Sequence, residues 1–313
     1  MPELPEVETI ARGLAKRVVG DVIESVWLGQ KKEPLKSPAA EIAAALEQSR
    51  IAAVRRMGKH IVFDLDRADG GERAPAPAGA RKRERIPVRS KRTLTSGFST
   101  TQAVADEGAR PTHSKTQWIV HLGMTGSLRV CQPETEVVKH THAVLKLASG
   151  REVRFVDPRR FGRLSVATST EFHATGIEPL EIDLATFIAL FRGRKTPIKS
   201  ALLNQKLLRG VGNIYADESL FRAGIRPRRR ASSVTRDQLA KLHSTVKEVL
   251  KEAIALGGSS ISDYVGADGE EGFFQLQHRV YGREDEPCLI CRSPIKRVVI
   301  AGRSSHYCPR CQK

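Results

Sequence analysis

The chain has 313 residues, with 52 Lys and Arg against 35 Asp and Glu, and its formal net charge is +17. That length is typical of two domains with smaller appendages. The charge exceeds what solubility requires and indicates a polyanionic partner, nucleic acid before an acidic membrane. No stretch approaches the roughly 20 apolar residues that span a bilayer, and the N-terminal segment has no basic leader or apolar h-region. We therefore expect a cytoplasmic protein with no membrane partner.

The N-terminal segment MPELPEVET begins a predicted helix and carries the first candidate for chemistry. Pro5 suits the first helical turn, and the apolar residues that follow recur on one face. If the initiator methionine is removed, Pro2 becomes a secondary amine, and α-amino groups have pKa values of about 7.7 to 8.0. Such an amine can attack C1′ of a sugar and form a Schiff base, with Glu3 and Glu6 placed to move protons. Ordinary helix capping is the alternative interpretation of these residues.

Periodicity predicts an α+β chain with two unlike halves. Short β-branched runs such as VIESVWL, HIVFDLD and EVRFV predict an antiparallel β-sandwich after the N-terminal helix. From about Glu181 the apolar spacing becomes helical, which predicts a second domain. The tail predicts a β-hairpin between two cysteine pairs. We expect domains at residues 1–170, 181–275 and 276–313.

Residues 67–116 interrupt the strand pattern. They contain eleven Lys or Arg, five Asp or Glu and one aromatic residue, Phe98, so they cannot bury a core. We interpret them as a disordered basic insertion between two strands. A solvated loop and an arm that tethers DNA both fit this composition.

Four cysteines form the strongest single motif, Cys288-x2-Cys291 followed by Cys308-x2-Cys311. Each CxxC turn can direct two thiolates at one ion, so two turns across a hairpin complete a tetrahedral zinc site. Because the protein then fills all four positions, we expect one structural zinc ion. Arg303 belongs to the basic residues of this hairpin, which can contact phosphates.

Three loop segments are candidates for DNA contact. In RGVGNIYADE the glycines permit a tight turn, and free N–H groups of the helix that Asn213 begins would bind a phosphate. HLGMTGSLRV and VDPRRFGRL each predict two strands around a tight turn that exposes Met124, Arg159 and Phe161. Apolar wedges with an arginine can fill the gap left by an extruded nucleotide. A packing corner and ordinary core residues are the alternatives.

Single basic residues carry weaker signals. Lys59 follows a Met-Gly turn and is a candidate phosphate contact or proton donor. His140 and His142 are two residues apart on a predicted strand and should share a face, which allows a phosphate contact. No third ligand is near them in sequence, so we do not expect a metal there.

In chain order, MPELPEVET, HLGMTGSL, DPRRFG, GVGNIYADE and the terminal CxxC pairs closely resemble bacterial formamidopyrimidine-DNA glycosylase. The resemblance covers nearly the whole chain except residues 67–116. It implies an N-terminal β-sandwich with an N-terminal helix, a helix-two-turn-helix domain, a C-terminal zinc-finger β-hairpin and no cofactor beyond structural zinc. It also implies a monomeric glycosylase and AP lyase of base excision repair, acting on double-stranded DNA with oxidised purines or abasic sites, in the bacterial cytoplasm on the nucleoid.

The resemblance further implies catalytic roles at matching positions. Pro2 would be the nucleophile, Glu3 the general acid and base that assists sugar opening, and Glu6 a structural or proton-relay carboxylate. Lys59 would contribute to base excision, and Arg303 would complete this set from the zinc hairpin. The reaction would end with elimination of the 3′ and then the 5′ phosphate.

Other positions would hold the DNA. Met124, Arg159 and Phe161 would fill the void left by the flipped nucleotide. Asn213 and the hairpin arginine would clamp the phosphates beside the lesion, with His140 also near the backbone. The loop that closes over the flipped base would correspond to residues 262–275.

Two rival functions remain compatible with parts of this pattern. An endonuclease-VIII-like glycosylase for oxidised pyrimidines would share the Pro2-Glu3 pair and the zinc finger, but the ELPEVE string and DPRRF resemble the purine branch. A non-catalytic damaged-DNA binding protein would be expected to lose Pro2, Glu3 or Lys59, and all three are present. The motifs do not rank 8-oxoguanine against formamidopyrimidines.

Overall fold

A computed structural model of the chain describes residues 2–31, 33–67, 116–168, 171–259 and 272–313. The predicted insertion at 67–116 therefore lies outside the described residues, except for its first and last positions. Most of the loop predicted to close over the base also lies outside them. Among the described helices, none combines the length and the apolar character needed to cross a membrane.

The predicted N-terminal helix is present as α1 (Leu4–Val18). Its apolar residues recur at helical spacing, and they are buried in the core of the N-terminal domain. Gly20 follows the helix with a φ of 90°, a conformation that glycine adopts without strain. The buried residues of this face are Val7, Ile10, Ala11, Leu14 and Val18.

The N-terminal domain contains eight antiparallel strands and one short helix. They are β1 (Val22–Leu28), α2 (Ala39–Leu46), β2 (Ser49–Met57), β3 (His60–Arg67), β4 (Thr116–His121), β5 (Ser127–Cys131), β6 (Thr141–Leu147), β7 (Glu152–Val156) and β8 (Arg163–Ala167). The strand order is β5-β7-β6-β1-β2-β3-β4-β8. Strands β1 and β2 pair only at Val22–Arg50 and Ile23–Ser49, so the sheet divides into two four-stranded halves. Apolar residues of both halves and of α1 share one core, which confirms the predicted sandwich.

The turns after β4 and after β7 both cross between the two halves. Strand β4 pairs with β3 and β8, whereas β5 pairs with β7. The chain therefore leaves one half through the β4–β5 turn and returns to it through the β7–β8 turn. This topology brings the two turns together at one edge of the sandwich.

The helical domain consists of α3 (Leu184–Phe191), α4 (Ile198–Leu202), α5 (Asn213–Ala223) and α6 (Arg236–Ala255) around an apolar core. Helix α4 ends at Leu202, and side-chain amides bind the backbone of the segment after it. Asn204 accepts a hydrogen bond from the N–H of Lys206, and Gln205 donates to the carbonyl groups of Leu203 and Val211. A compact turn, not a continuous helix, therefore leads into α5.

The C-terminal hairpin is formed by β9 (Lys296–Ile300) and β10 (Arg303–Tyr307), as predicted. A small core lies beneath it. Phe221 of α5 packs there with Val280, Ile295 and the buried Cys288 and Cys308. The hairpin is thus packed against the helical domain through the last turns of α5.

Candidate active site

The first turn of α1 places two carboxyl groups beside Pro2. The Glu3 N–H donates a hydrogen bond of 2.7 Å to Oε2 of Glu6, which fixes the Glu6 side chain across the start of the helix. Pro5 occupies the first helical turn, where no backbone N–H is needed. Pro2 itself is half-buried. The residues that begin and cap α1 are therefore the same residues for which chemistry is predicted.

The Glu3 carboxylate occupies the N-terminus of α5, some 210 residues further along the chain. Its Oε1 accepts hydrogen bonds from the N–H groups of Asn213, at 2.6 Å, and Ile214, at 3.4 Å. A Cβ atom at Gly212 would lie 1.9 Å from Cδ of Glu3, so this approach requires glycine. The prediction that these N–H groups are free to bind phosphate is therefore wrong, because Glu3 already uses them.

Burial makes Glu3 suited to proton transfer at neutral pH. The residue is 5 % exposed. Burial raises its pKa from 4.5 to about 7, the nearby Lys59 opposes that rise, and the charge of Glu6 adds to it. The bonds from the N-terminus of α5 also lower the pKa, but they do not offset burial. Both protonation states are thus populated near pH 7, as general acid–base catalysis requires.

Glu6 is held by groups from three parts of the chain. Its Oε1 accepts hydrogen bonds from the Tyr215 hydroxyl and, at 2.9 Å, from the Ser259 N–H. Its Oε2 receives the Glu3 N–H. Burial and the two nearby glutamates raise the pKa of Tyr215 well above its usual value, so the phenol stays a donor. Glu6 therefore links the start of α1 to both α5 and the segment after α6.

Lys59 lies in the turn between β2 and β3 and is 9 % exposed. Burial lowers its pKa, the charges of Glu3 and Glu6 oppose that change, and the charge of Arg303 adds to it. These interactions place Lys59 in the same electrostatic environment as both glutamates and the hairpin arginine. The structure thus brings together the predicted catalytic residues of three separate segments.

A buried ion pair attaches the zinc hairpin to the helical domain. Lys199 and Asp217 lie 2.7 Å apart and are both completely buried. Lys199 also donates to the Ser304 carbonyl at 2.7 Å, while Asp217 accepts from the Ser305 hydroxyl and the His306 N–H. The exposed Arg303 directly precedes these anchored residues, so its backbone is held in place.

The four cysteines form a cluster that fits a structural zinc ion. Their sulfur atoms all lie within 4.8 Å of one another, with 3.9 Å between Cys288 and Cys311 and 3.4 Å between Cys291 and Cys308. A Zn–S distance of about 2.3 Å in a tetrahedron places sulfurs about 3.8 Å apart. Within the described residues this is the single cluster of possible metal ligands. Four protein thiolates leave no open position for substrate.

Met124, Arg159 and Phe161 lie exposed on the two turns that meet at the sandwich edge. Met124 is 44 % and Phe161 52 % exposed, and the Arg159 guanidinium lies 4.9 Å from the centre of the Phe161 ring. The turns touch closely, since a Cβ at Gly123 would lie 2.4 Å from the Phe161 backbone. The alternative that Met124 and Phe161 are core residues is therefore wrong.

Asp157 joins these two turns and was not predicted. It is completely buried. Its carboxylate accepts hydrogen bonds from the Thr125 hydroxyl at 2.6 Å and from the Gly162 N–H at 2.7 Å. The aspartate in DPRRFG was visible in the sequence, but only the fold shows that its partner lies on the other turn.

The remaining predicted contacts have different surroundings. His140 is exposed and has a φ of 68°, and its carbonyl accepts the Asp157 N–H. His142 is buried and contacts the Asp157 carbonyl, so the prediction that both histidines share one face is wrong. The Asn213 side chain lies 3.4 Å from the Ser304 hydroxyl of the zinc hairpin.

Sequence reasoning also missed most of the supporting residues on α5. Tyr215 binds Glu6, Asp217 binds the hairpin, and Glu218 accepts the N–H groups of Arg279, Val280 and Tyr281. The signal was the run of three polar residues Asp217, Glu218 and Ser219, at positions where a buried helix should be apolar. Helix α5 thus contacts the start of α1, the zinc hairpin and the segment at residues 279–281.

Family comparisons cover almost the entire chain. Residues 1–164 match the formamidopyrimidine-DNA glycosylase N-terminal domain, residues 175–265 the H2TH domain of the same enzymes, and residues 285–313 a zinc finger found in FPG and IleRS. The formamidopyrimidine-DNA glycosylases of Solibacter usitatus and Gluconobacter oxydans are 41% and 37% identical to the chain. In both comparisons the alignment covers 100% of each chain.

Solved structures agree. The chain is similar to MutM (FPG) from Thermus thermophilus, with a TM-score of 0.75 and 36% identity over 99% of this chain and 98% of the other. It also matches a mutant of Lactococcus lactis FPG in complex with DNA containing Fapy-dG, with a TM-score of 0.78 and 28% identity over 100% of both chains. Sequence, domain order and fold all place the chain in the formamidopyrimidine-DNA glycosylase family.

Proposed function

We propose that the chain is a bifunctional DNA glycosylase and AP lyase that removes oxidised purines from double-stranded DNA. Relatives of full length are named formamidopyrimidine-DNA glycosylase, and similar structures hold DNA with Fapy-dG or an abasic site. The observation that carries the proposal is the buried Glu3, with a pKa of about 7, directly beside Pro2 and near Lys59.

The proposed reaction begins at the Pro2 amine. It attacks C1′ of the damaged nucleotide as the bond to the base breaks, while protonated Glu3 assists opening of the sugar. The resulting iminium ion makes the C2′ proton acidic, and loss of that proton expels the 3′ phosphate. A second elimination expels the 5′ phosphate, and hydrolysis returns the amine. Zinc has a structural part only, holding the hairpin that carries Arg303.

The DNA contacts are proposals of the same kind. Met124, Arg159 and Phe161 would enter the space left by the flipped nucleotide, and their exposure on one edge supports this. Arg303, His140 and the Asn213 side chain would contact the phosphates beside it. We further propose that the protein is a monomer and acts at the nucleoid. We propose domain limits at residues 1–170, 181–275 and 276–313.

Borohydride trapping on a duplex with 8-oxoguanine opposite cytosine tests the proposal. The parent chain should form a covalent adduct and cut the strand, and Pro2→Gly should do neither while still binding the duplex. Thr9→Ser, a conservative change elsewhere on α1, serves as the control and should trap like the parent.

The same experiment separates the rivals. An adduct on oxidised pyrimidine but not on oxidised purine would favour the endonuclease-VIII-like function. Tight binding with no adduct on either duplex would place the chain among non-catalytic binders of damaged DNA.

A further inference from the structure

A cluster of exposed cations lies outside the residues assigned above, on two segments of the helical domain. The first segment, 192–198, follows α3, and the second, 226–232, follows α5. Their exposed cations are Arg192, Arg194, Lys195, Arg226, Arg228 and Arg230. The Arg226 side chain donates hydrogen bonds to the Gln312 and Pro309 carbonyls, and we call the other five residues the basic ribbon. Neither segment contains an acidic or an aromatic residue.

Backbone hydrogen bonds hold the two segments side by side. The Ser232 N–H donates to the Arg194 carbonyl at 2.8 Å, the Ala231 N–H to Thr196 at 2.9 Å, and the Ile198 N–H to Arg229 at 2.7 Å. Pro197 and Arg230 form an antiparallel bridge. The two charged segments therefore lie side by side on the helical domain.

The ribbon has no internal counter-charge. Within the described part of the chain, none of its five cations lies within 4.0 Å of a carboxylate, although exposed arginines elsewhere, such as Arg12, do form ion pairs. Concentrated like charge opposes folding through self-repulsion. An external polyanion would offset that repulsion.

The ribbon continues into the hairpin that carries Arg303. Arg228 approaches the Val299 carbonyl of β9 at 3.5 Å. The Lys199 N–H donates to the Pro227 carbonyl, and the Lys199 side chain binds the Ser304 carbonyl. One residue thus joins the second segment of the ribbon to the residue after Arg303.

We propose that the basic ribbon binds the phosphate backbone of duplex DNA flanking the lesion and so extends the contact surface beyond the proposed active site. The inference rests on the proposed function. Cations without aromatic neighbours contact phosphates and not bases. Because stacking of bases on aromatic side chains supplies much of the affinity for single-stranded nucleic acid, the ribbon favours a duplex. The absence of exposed apolar residues in both segments disfavours a lipid surface.

Salt-dependent binding to duplexes of two lengths tests this. Each duplex carries a central tetrahydrofuran abasic-site analogue. The short duplex, of about 12 base pairs, spans little more than one helical turn, and the long one, of about 40 base pairs, extends beyond it on both sides. The test variant combines Arg192→Gln, Lys195→Gln and Arg230→Gln, three residues without hydrogen-bonded side chains in the described structure. The control combines Lys16→Gln, Lys241→Gln and Lys251→Gln, which removes equal charge from exposed positions on α1 and α6.

Each phosphate contact contributes about 0.9 to the steepness of the plot of log K against log salt concentration. On the long duplex, the plot for the ribbon variant should therefore be less steep than that for the parent chain by about 2 to 3. Its affinity should fall at least tenfold more on the long duplex than on the short one, and the control should change both equally. Equal losses on both lengths, no loss on either, or an equal slope change with single-stranded DNA would overturn the proposal. Failure of the proposed function would instead appear as no excision by the parent chain on any duplex.

Discussion

Two regions of the proposed site are built in opposite ways. The carboxylate cluster of Glu3 and Glu6 is buried and held by hydrogen bonds from α1 and α5. The exposed triad of Met124, Arg159 and Phe161 has little contact beyond the cation–π pair, and it stands on turns fixed from below by Asp157. The first region is held by groups of α1, α5 and the segment after α6, whereas the second is held at its base.

The difference separates chemistry from recognition. Burying a carboxylate without a full counter-charge costs folding free energy but raises its pKa into the useful range. Exposing large apolar side chains costs the folded state little, and it leaves them free to enter DNA. Substitutions in the first region should therefore change reactivity and pH dependence together, and substitutions in the second should change binding with little effect on stability.

The largest effect is expected for Glu3→Gln. Loss of a general acid and base should reduce base excision by about 10² to 10⁴. In single-turnover assays the parent rate should fall as pH rises through about 7, because the protonated carboxyl assists sugar opening. Glu181→Gln, at an exposed position, is the control and should leave the rate unchanged.

Glu3→Gln should also be more stable than the parent chain at high pH. The folded-state pKa of Glu3 lies above its ordinary value of 4.5, so the folded chain binds more protons than the unfolded chain between pH 4.5 and about 7. The parent therefore loses stability as pH rises through this window, and the shift corresponds to about 3 kcal/mol. Urea unfolding at pH 5 and pH 8 measures it, and equal stability of parent and variant at both pH values would contradict the buried-carboxylate account.

Gly212→Ala should lose almost as much excision activity as Glu3→Gln, but unlike that variant it should also destabilise the fold. The new Cβ would meet Cδ of Glu3 at 1.9 Å and push the carboxylate off the N-terminus of α5. We expect about a hundredfold loss of excision together with destabilisation by about 2 kcal/mol, typical of overpacking. Gly29→Ala, where the nearest atom lies 3.6 Å away, is the matched control. Retained activity would show that the contact between Glu3 and α5 is dispensable.

The features predicted correctly from the sequence are local in the chain. The helix after Pro2, the CxxC pairs and the two exposed turns each depend on residues within one short segment. The contact of Glu3 with Asn213 joins residues 210 positions apart, and no periodicity indicates which acceptor will occupy a helix N-terminus. The predicted phosphate site failed for that reason, and the ion pair of Lys199 and Asp217 was missed because charged residues are ordinarily exposed.

Asp157→Ala should loosen the base of the exposed triad. It leaves the buried Gly162 N–H and the half-buried Thr125 hydroxyl without their acceptor, and an unpaired buried group costs about 1 to 3 kcal/mol. Thermal unfolding should show the loss, and affinity for an abasic-site duplex should fall about tenfold, near 1.4 kcal/mol. Asp157→Asn keeps part of the hydrogen bonding and should lose less in both measurements. Equal effects of the two variants would point to lost volume instead of lost hydrogen bonds.

The smallest effect on stability is expected for Phe161→Ala, the sharpest test of the comparison. Because the ring is 52 % exposed, the free energy of unfolding should change by no more than about 0.5 kcal/mol. Affinity for a lesion duplex relative to undamaged duplex should nevertheless fall several-fold, since the ring is proposed to fill the space of the flipped nucleotide. Leu184→Ala, an exposed apolar residue of α3, should change neither quantity. A stability loss in Phe161→Ala as large as that in Asp157→Ala would mean that the ring supports the fold, and the separation of chemistry from recognition would then not hold at this edge.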